Sequence, residues 1–404
     1  MGDHDVPRLG DQLAGRHVAL LVTGGIAAMK APLVARALRR QGAAVTAFAS
    51  REGLRYVTEE TLAWSTVRPV VKELTPAAEH LSDDQPFDAY LLAPATYNSL
   101  NKFSLGVADG VITSTLASAL GRQERGETEV LVAPTMHGTL HNRILTESLE
   151  RLDRLGVRVI PPRPGYGKHN LPAEEVLVAE VCRAVSRSPL KGVRLMVTGG
   201  PTPVAIDAVR RLTNKFRGEL GCRVAEELYW RGADVLLIHG AGAYMPPEHL
   251  PWKLVMDYDE YRQAVLEEVS ENHPRAAIFT AAVADYRAKK VLAGKTPSGG
   301  ALARIDLVPT EKVVELVRER DPKLHMVTFK YQEDIGHDEL MEIAADRRRR
   351  GYQTVIANRG EERGPDGEQV AWLTHDSAEP LRMEGKLVIA KAIADHLEAT
   401  LAAG

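Results

Sequence analysis

Four segments of this chain bring together residues that could hold a ligand and act on it. His17 to Gly25 reads HVALLVTGG, and Val193 to Gly200 reads VRLMVTGG. Each is an apolar run closed by Thr-Gly-Gly, and each stands at the head of about half the protein. A glycine pair lets the backbone turn sharply and lets a ligand approach it. A helix N-terminus just beyond such a turn favours an anion. The first turn continues as GGIAAMK, so backbone N–H groups of Gly24, Gly25, Ile26 and Ala27 could hold a phosphate. LLAPATYNSLNKFSLGVADGVIT, Leu91 to Thr113, sets Pro94, Ala95, Thr96 and Asn98 after an apolar strand. Small polar groups there suit a flat heterocycle or its phosphate. Many α/β proteins have glycines at this turn with no ligand, so the weight rests on the segments together.

These segments need strands and helices to position them. In the first half, strands are expected at Val18–Val22, Ala44–Ala49, Ala89–Ala93, Glu129–Ala133 and Val157–Ile160. Helices are expected at Ala27–Gln41, with Leu33, Val34, Ala37 and Leu38 on one face, at Val111–Leu120 and at Asn142–Leu155. Alternating strands and helices imply a parallel sheet with right-handed crossovers. Ligands bind at the carboxyl ends of such strands, so the loops after Val22, Ala93 and Ala133 should converge. SRSPLKG, Ser186 to Gly192, reads as a linker. The second half restarts with a strand to Val197, a helix Gly221–Arg231 and a strand Asp234–His239. Further strands fall at Ala276–Thr280, Met326–Phe329 and Thr354–Ala357, before a last helix from Lys386 to Leu401. The fold class is α/β, as two Rossmann-like domains in series, 16–188 and 189–404.

Composition narrows the function. The chain has 404 residues, a net charge of -3 and 44% apolar residues, which suits two soluble globular domains and argues against a nucleic-acid binder. Its two cysteines, Cys182 and Cys222, form neither a disulfide framework nor a metal spacing, which suits a reducing cytoplasm. No run reaches the ~18 apolar residues of a membrane span. The first fifteen residues read as a loose tail with a short helix at most. The basic run Arg347–Arg350 reads as a solvated helix end or a phosphate contact.

The first half resembles the homo-oligomeric flavin-containing cysteine decarboxylases, a flavodoxin-like family. Their GGIAAYK-like, APATANT-like and G-x-A-D fingerprints appear here as GGIAAMK, APATYNS and GVAD. The resemblance implies FMN between subunits of a trimer and a catalytic histidine before the flavin loop; His80, which precedes Leu81 and Asp88, takes that place. The second half resembles the phosphopantothenate–cysteine ligases. VTGGPTPVAIDAVRRLTNKFRGELG matches their loop at Gly200, Pro201, Thr202, Asp207, Asn214, Gly218 and Gly221, and TAAVADYR, Thr280 to Arg287, matches almost letter for letter. That resemblance implies CTP as co-substrate with Mg²⁺. It places Lys295 against developing negative charge, Asn214 on the acyl intermediate and Asp285 on nucleotide or metal. Ala281, Ala282, Phe329 and Arg350 join the nucleotide and substrate set. The families occur fused in this order in a bifunctional enzyme of coenzyme A synthesis. This implies a cytoplasmic homo-oligomer with a trimeric flavin half and a dimeric ligase half, up to a dodecamer, acting on small molecules with no nucleic-acid or membrane partner.

The chain departs from both patterns where substrate is met. P-x-M-N-x-x-M-W is here Pro134 to His141, with His137 for the asparagine, and Pro164–Glu175 offers no cysteine. The N-x-S-S-G loop is Asn214-Lys215-Phe216-Arg217-Gly218, and F-A-A-E is Phe329-Lys330-Tyr331-Gln332-Glu333. Two other readings therefore stand beside the bifunctional enzyme. One is a paralogue acting on another carboxylate or thiol; the other is a flavin- and nucleotide-binding regulatory protein without turnover.

Overall fold

The computed structural model describes residues 4–81, 86–165, 167–242, 244–295, 305–376 and 378–402. Contacts divide the chain into two compact units, Met1–Ser186 and Arg187–Gly404.

In the first unit the strands and helices run β1 (His17–Val22), α1 (Ala31–Arg40), β2 (Ala44–Ala49), α2 (Glu59–Thr66), β3 (Ala89–Ala95), α3 (Tyr97–Ser104) and α4 (Val111–Glu124). They continue as β4 (Glu129–Pro134), β5 (Met136–His137), α5 (Arg143–Arg154), β6 (Arg158–Val159), β7 (Arg163–Gly165), β8 (Lys168–Asn170) and α6 (Glu174–Val185). The main sheet has the order β2-β1-β3-β4-β6, with every pairing parallel. β3 is buried along its whole length, as expected of a central strand covered on both faces. β5, β8 and β7 form a small antiparallel sheet.

Three expectations are corrected here. The helix forecast from Ala27 begins as a 3₁₀ turn, Ile26–Lys30, and becomes α-helical only at Ala31. Pro32 in its first turn has no N–H to give to a preceding turn, so it marks the start. Leu33 lies away from the buried face: Ala31, Val34, Ala35 and Leu38 turn inward at helical spacing, while Leu33 is 56% exposed. The leading segment is not a loose tail, because Leu13 is fully buried and its backbone N–H donates to Gln41 O at 2.9 Å.

The second unit runs β9 (Arg194–Gly199), β10 (Val204–Ala205), β11 (Arg211–Leu212), α7 (Glu219–Trp230), β12 (Asp234–Gly240), β13 (Trp252–Val255), α8 (Tyr258–Asn272) and β14 (Ala276–Phe279). Then come β15 (Tyr286–Ala288), β16 (Leu307–Pro309), α9 (Val313–Arg320), β17 (His325–Gln332), α10 (His337–Arg349), β18 (Thr354–Arg359), β19 (Val370–His375), β20 (Ala378–Glu384) and α11 (Lys386–Ala402). The large sheet has the order β13-β12-β9-β14-β17-β18-β19-β20. It is parallel as far as β18, and β19 and β20 extend it antiparallel. The sequence reading anticipated five of the six parallel strands, missing β13, and neither antiparallel one. β19 and β20 follow one another with no helix between them, and so show no α/β rhythm.

Candidate functional site

In the first unit a cavity of about 1100 Å³ opens at the carboxyl ends of the parallel strands. Thr23, Gly24, Gly25, Ile26 and Ala27 follow β1, Pro94, Thr96 and Asn98 follow or end β3, and Thr135 to His137 follow β4; all line it. The expected convergence of loops is therefore present. Hydrogen bonds hold the loops in place. Thr23 Oγ1 donates to Pro94 O at 2.6 Å. Thr96 caps α3, its Oγ1 accepting from Ser99 N at 3.4 Å and sharing a 3.0 Å bond with Ser99 Oγ. Thr113 Oγ1 accepts from Asp109 N and Gly110 N, each at 3.0 Å, and so shapes the GVAD turn before α4.

Two expected residues fall elsewhere. Ala95 is fully buried in the core behind the loop rather than lining the cavity: the strand register shifts between Leu92 and Ala95, and Ala95 joins the core cluster of Tyr90 and Leu92. His80 does not line the cavity of its own chain. Its segment is tied to α4 by Arg122, which donates to Leu81 O at 2.8 and 3.1 Å. His80 Nδ1 is buried with no hydrogen-bond partner. His137 does reach the cavity, from β5. Its Nδ1 shares a 2.9 Å bond with Thr139 Oγ1 and accepts from Thr139 N at 3.3 Å.

The sequence reading missed the flap. Arg163, Lys168, His169 and Asn170, from β7 and β8, line the cavity with Lys30, Lys72 and Lys102. His169 stacks on His141 with ring centroids 4.3 Å apart. Burial, followed by the nearby His141, lowers its pKa. The signal was present as a Gly-containing turn between short polar runs, a hairpin pattern. Lys102 is paired with Asp109 at 2.5 Å, and that bond draws the Asp109 carboxyl below its usual range.

In the second unit the two ligase-like motifs are bonded to each other. Ala282 N donates to Gly200 O at 2.9 Å, Thr202 N to Ala282 O at 3.3 Å, and Asn214 Nδ2 to the same Ala282 O at 2.8 Å. Ala284 N donates to Thr202 Oγ1 at 2.9 Å, and Ala281 N to Thr198 Oγ1 at 3.4 Å. Gly200 has φ +75°, and a Cβ on it would lie 2.6 Å from Gly240 O. Asp207 is structural: its buried carboxylate accepts from Val209 N at 2.8 Å and Arg210 N at 2.7 Å, and pairs with the Arg210 guanidinium.

Asp285 is exposed after β14 and forms an ion pair with Lys312, just before α9. Lys312 was not anticipated; it follows Thr310-Glu311 and precedes the Val313-Val314 pair that opens α9, and the sequence reading found no motif there. Lys295 is exposed and follows Gly294, whose O accepts from Ala208 N at 3.2 Å. Phe329 is half-buried on β17, and Arg217 is exposed before α7. Arg350 caps α10 and pairs with Asp346 at 2.9 Å. Within the same basic run, Arg347 turns inward over the Tyr352 ring, 5.1 Å from its centroid. The run is therefore not uniformly solvated, since helical periodicity carries Arg347 onto the sheet side.

Comparison with known proteins agrees with both halves. Residues 8–188 match the family model described as Flavoprotein, and residues 190–401 match that of the DNA/pantothenate metabolism flavoprotein C-terminal domain. A coenzyme A biosynthesis bifunctional protein, CoaBC, of Thermococcus kodakarensis is 31% identical, over 96% of this chain and 96% of its own. The chain belongs to the CoaBC family. The CoaBC of Mycolicibacterium smegmatis is 30% identical, over 96% of this chain and 98% of its own. A crystal structure of a CoaBC C-terminal domain aligns with TM-score 0.44 and 27% identity, over 53% of this chain and 98% of that one. As a CoaBC, this is a bifunctional coenzyme A biosynthesis enzyme, with a flavoprotein decarboxylase half and a ligase half. Among the described residues, no helix is long and apolar enough to cross a membrane.

Proposed function

We propose that the second unit joins 4′-phosphopantothenate to cysteine with CTP, and that the first decarboxylates the product with FMN. The observation that carries the ligase reading is Asn214 bonded to Ala282 at 2.8 Å, which sets the acid-binding loop against the AAVAD loop. A carboxylate needs a good leaving group before an amine can displace it. Its attack on the α-phosphate of CTP gives an acyl-cytidylate and pyrophosphate, and cysteine's amine then releases CMP. Lys295 would face the charge that builds up in these steps, and Asn214 would hold the acyl group. Ala281, Ala282 and Phe329 would border the nucleotide, and Arg217 would meet the acid's phosphate in place of lost hydroxyls. Among the described residues, no three His, Cys, Asp or Glu side chains gather as a metal site. Mg²⁺ would thus arrive on the phosphates, with Asp285 as its protein carboxylate.

The first unit fits a flavin. A Cβ added at Gly25 would stand 3.5 Å from Thr96 Cγ2, so the bare backbone keeps the space between the two loops open. Gly24 to Ala27 would take the flavin's phosphate, and Pro94, Thr96 and Asn98 its ring. When bound, FMN supplies oxidation of the cysteinyl thiol, after which the carboxylate is lost readily. His137 would grip that carboxylate in place of asparagine. His80, outside its own chain's cavity, would act across a subunit boundary. Ile26, Met29, Leu105 and Leu140 are exposed apolar side chains on the same unit, as a trimeric flavin half requires. We expect a cytoplasmic homo-oligomer built from trimeric flavin halves and dimeric ligase halves, up to a dodecamer.

A second reading, an enzyme acting on another acid, is favoured by Phe216 packing edge-on against Tyr331, centroids 5.9 Å apart, where both ligase motifs are altered. One experiment separates the readings. The protein is incubated with FMN, Mg²⁺, CTP, phosphopantothenate and cysteine, and products are read by mass spectrometry. Phosphopantothenoylcysteine, with or without its decarboxylated product, is expected. Its absence from protein that binds flavin and nucleotide would shift the assignment to another acid or to a regulatory role.

A further inference from the structure

The flap carries a lysine whose charge the chain leaves unanswered. Lys168, on β8, is exposed and lines the cavity of the first unit. It makes no ion pair among the described residues. Two other lysines of the cavity are taken, Lys102 by Asp109 at 2.5 Å and Lys72 by Glu59 at 2.7 Å. The small antiparallel sheet sets where Lys168 stands. Its register partner there is His137 of β5. Residues directly opposite in an antiparallel pair share a face, with Cβ atoms about 5 Å apart. Two further contacts hold the flap to the loop after β4. The His169 ring stacks on His141 with centroids 4.3 Å apart, and Gly138 lies so close to Gly167 O that a Cβ there would collide with it.

The hydrogen bonds of His137 leave one of its nitrogens free. Nδ1 accepts from Thr139 N at 3.3 Å. A backbone N–H can only donate, so Nδ1 keeps its lone pair and the neutral ring carries its proton on Nε2. Among the described residues, Nε2 has no partner. β5 therefore offers an N–H donor and β8 an ammonium, side by side on one face of the small sheet and on the wall of one cavity. One donor and one cation suit the two oxygens and the single charge of a carboxylate. A phosphate dianion would leave an oxygen and a charge unmet.

We propose that Lys168 and His137 form a two-point clamp for the carboxylate that the first unit removes. His137 Nε2–H would bond one oxygen and the Lys168 ammonium the other. The clamp rests on reading this unit as the one that decarboxylates phosphopantothenoylcysteine. It also divides the work. Departure of the carboxylate as CO₂ leaves the bonding pair on the substrate's carbon and removes the charge that Lys168 holds. The lysine thus favours the bound acid over the transition state, and its energy appears in binding rather than in rate. Lys168 is in this sense a specificity residue, which holds the acid and lets go of the product.

The test uses the flavin-loaded full chain as wild type, Lys168→Met, Lys168→Arg and His137→Leu. Two probes are titrated by calorimetry, S-methyl phosphopantothenoylcysteine and S-methyl 4′-phosphopantetheine. They differ only in the carboxylate, and the blocked sulfur prevents turnover. The wild type should prefer the probe that bears the carboxylate. Lys168→Met should weaken that probe about tenfold or more, the loss of one charge-assisted bond, and leave the other unchanged. Lys168→Arg should restore most of the affinity, and His137→Leu should weaken the same probe selectively. With phosphopantothenoylcysteine itself, Lys168→Met should raise KM and leave kcat no lower. Equal weakening of both probes would put Lys168 on another part of the substrate and overturn the clamp. No change in either probe, or a fall in kcat at unchanged KM, would overturn it too, and the decarboxylase reading would stand. If the wild type binds neither probe, that reading falls and the clamp with it.

Discussion

Asn214 illustrates how much one side chain can carry. It is exposed, yet its amide bonds the Ala282 carbonyl at 2.8 Å, so it fixes a loop while standing where the proposed ligation would place the acyl group. Asn214→Ala should lower the ligation rate on the order of a hundredfold. Decarboxylation of supplied phosphopantothenoylcysteine should be unchanged, and a coupled assay with both starting points reads the two separately. Three histidines of the second unit set a different expectation. His325 and His396 share Thr354, whose Oγ1 lies 3.2 and 2.7 Å from their Nε2 atoms, and burial lowers each pKa from 6.5 to about 4. His375 adds repulsion at His396, 4.7 Å away between ring centroids. The unfolded chain therefore binds more protons than the folded one between pH 6.5 and about 4. Stability should be level above neutrality, fall as the pH drops through that window, and level off again below it. Urea unfolding at pH 7 and pH 5 measures the drop, and His396→Gln should make it shallower.

At the scale of elements, the second VTGG turn is a place where strands and loop nearly touch. A Cβ on Gly240, at the end of β12, would lie 1.8 Å from Pro201 O. The contact is backbone, with no flexible side chain to yield. Gly240→Ala should therefore push the turn away from β12, lowering the melting temperature by several degrees and abolishing ligation. Flavin absorbance of the first unit should be retained. A melting temperature and ligation rate equal to wild type would show that the turn can give way. The turn itself was legible, since its glycines stand out after an apolar run. The partner was not: nothing around Gly240 in the sequence marks it as the residue that Pro201 must meet. The flap of β5, β7 and β8 left only its Gly-containing turn as a signal, because strands of two or three residues are too short for any periodicity to show.

For the whole molecule, the two units make separate predictions. Residues 187–404 form a compact unit with their own sheet and core. Expressed alone, they should ligate phosphopantothenate and cysteine at a rate near that of the full chain; a silent fragment would mean that the flavin half supports the ligase. The exposed Ile26, beside the flavin cavity, bears on assembly. Ile26→Glu should dissociate the flavin halves and lose bound flavin while leaving ligation intact. Sedimentation with absorbance near 450 nm would follow both, and retention of assembly and flavin would remove that face from the interface.

By itself the sequence determined the two α/β halves, their order and the loops proposed to carry their ligands. Apolar runs closed by glycine, and the near-literal TAAVADYR, are local signals that need no tertiary knowledge. What only the folded chain decided was which side chains face those loops. Arg347 leaves a solvated-looking basic run because its turn of helix meets β18. Ala95 goes to the core, and His80 away from its own chain's cavity. Direction and neighbourhood of a side chain depend on what packs against it, and that is fixed by contacts between segments, which no single stretch of sequence contains.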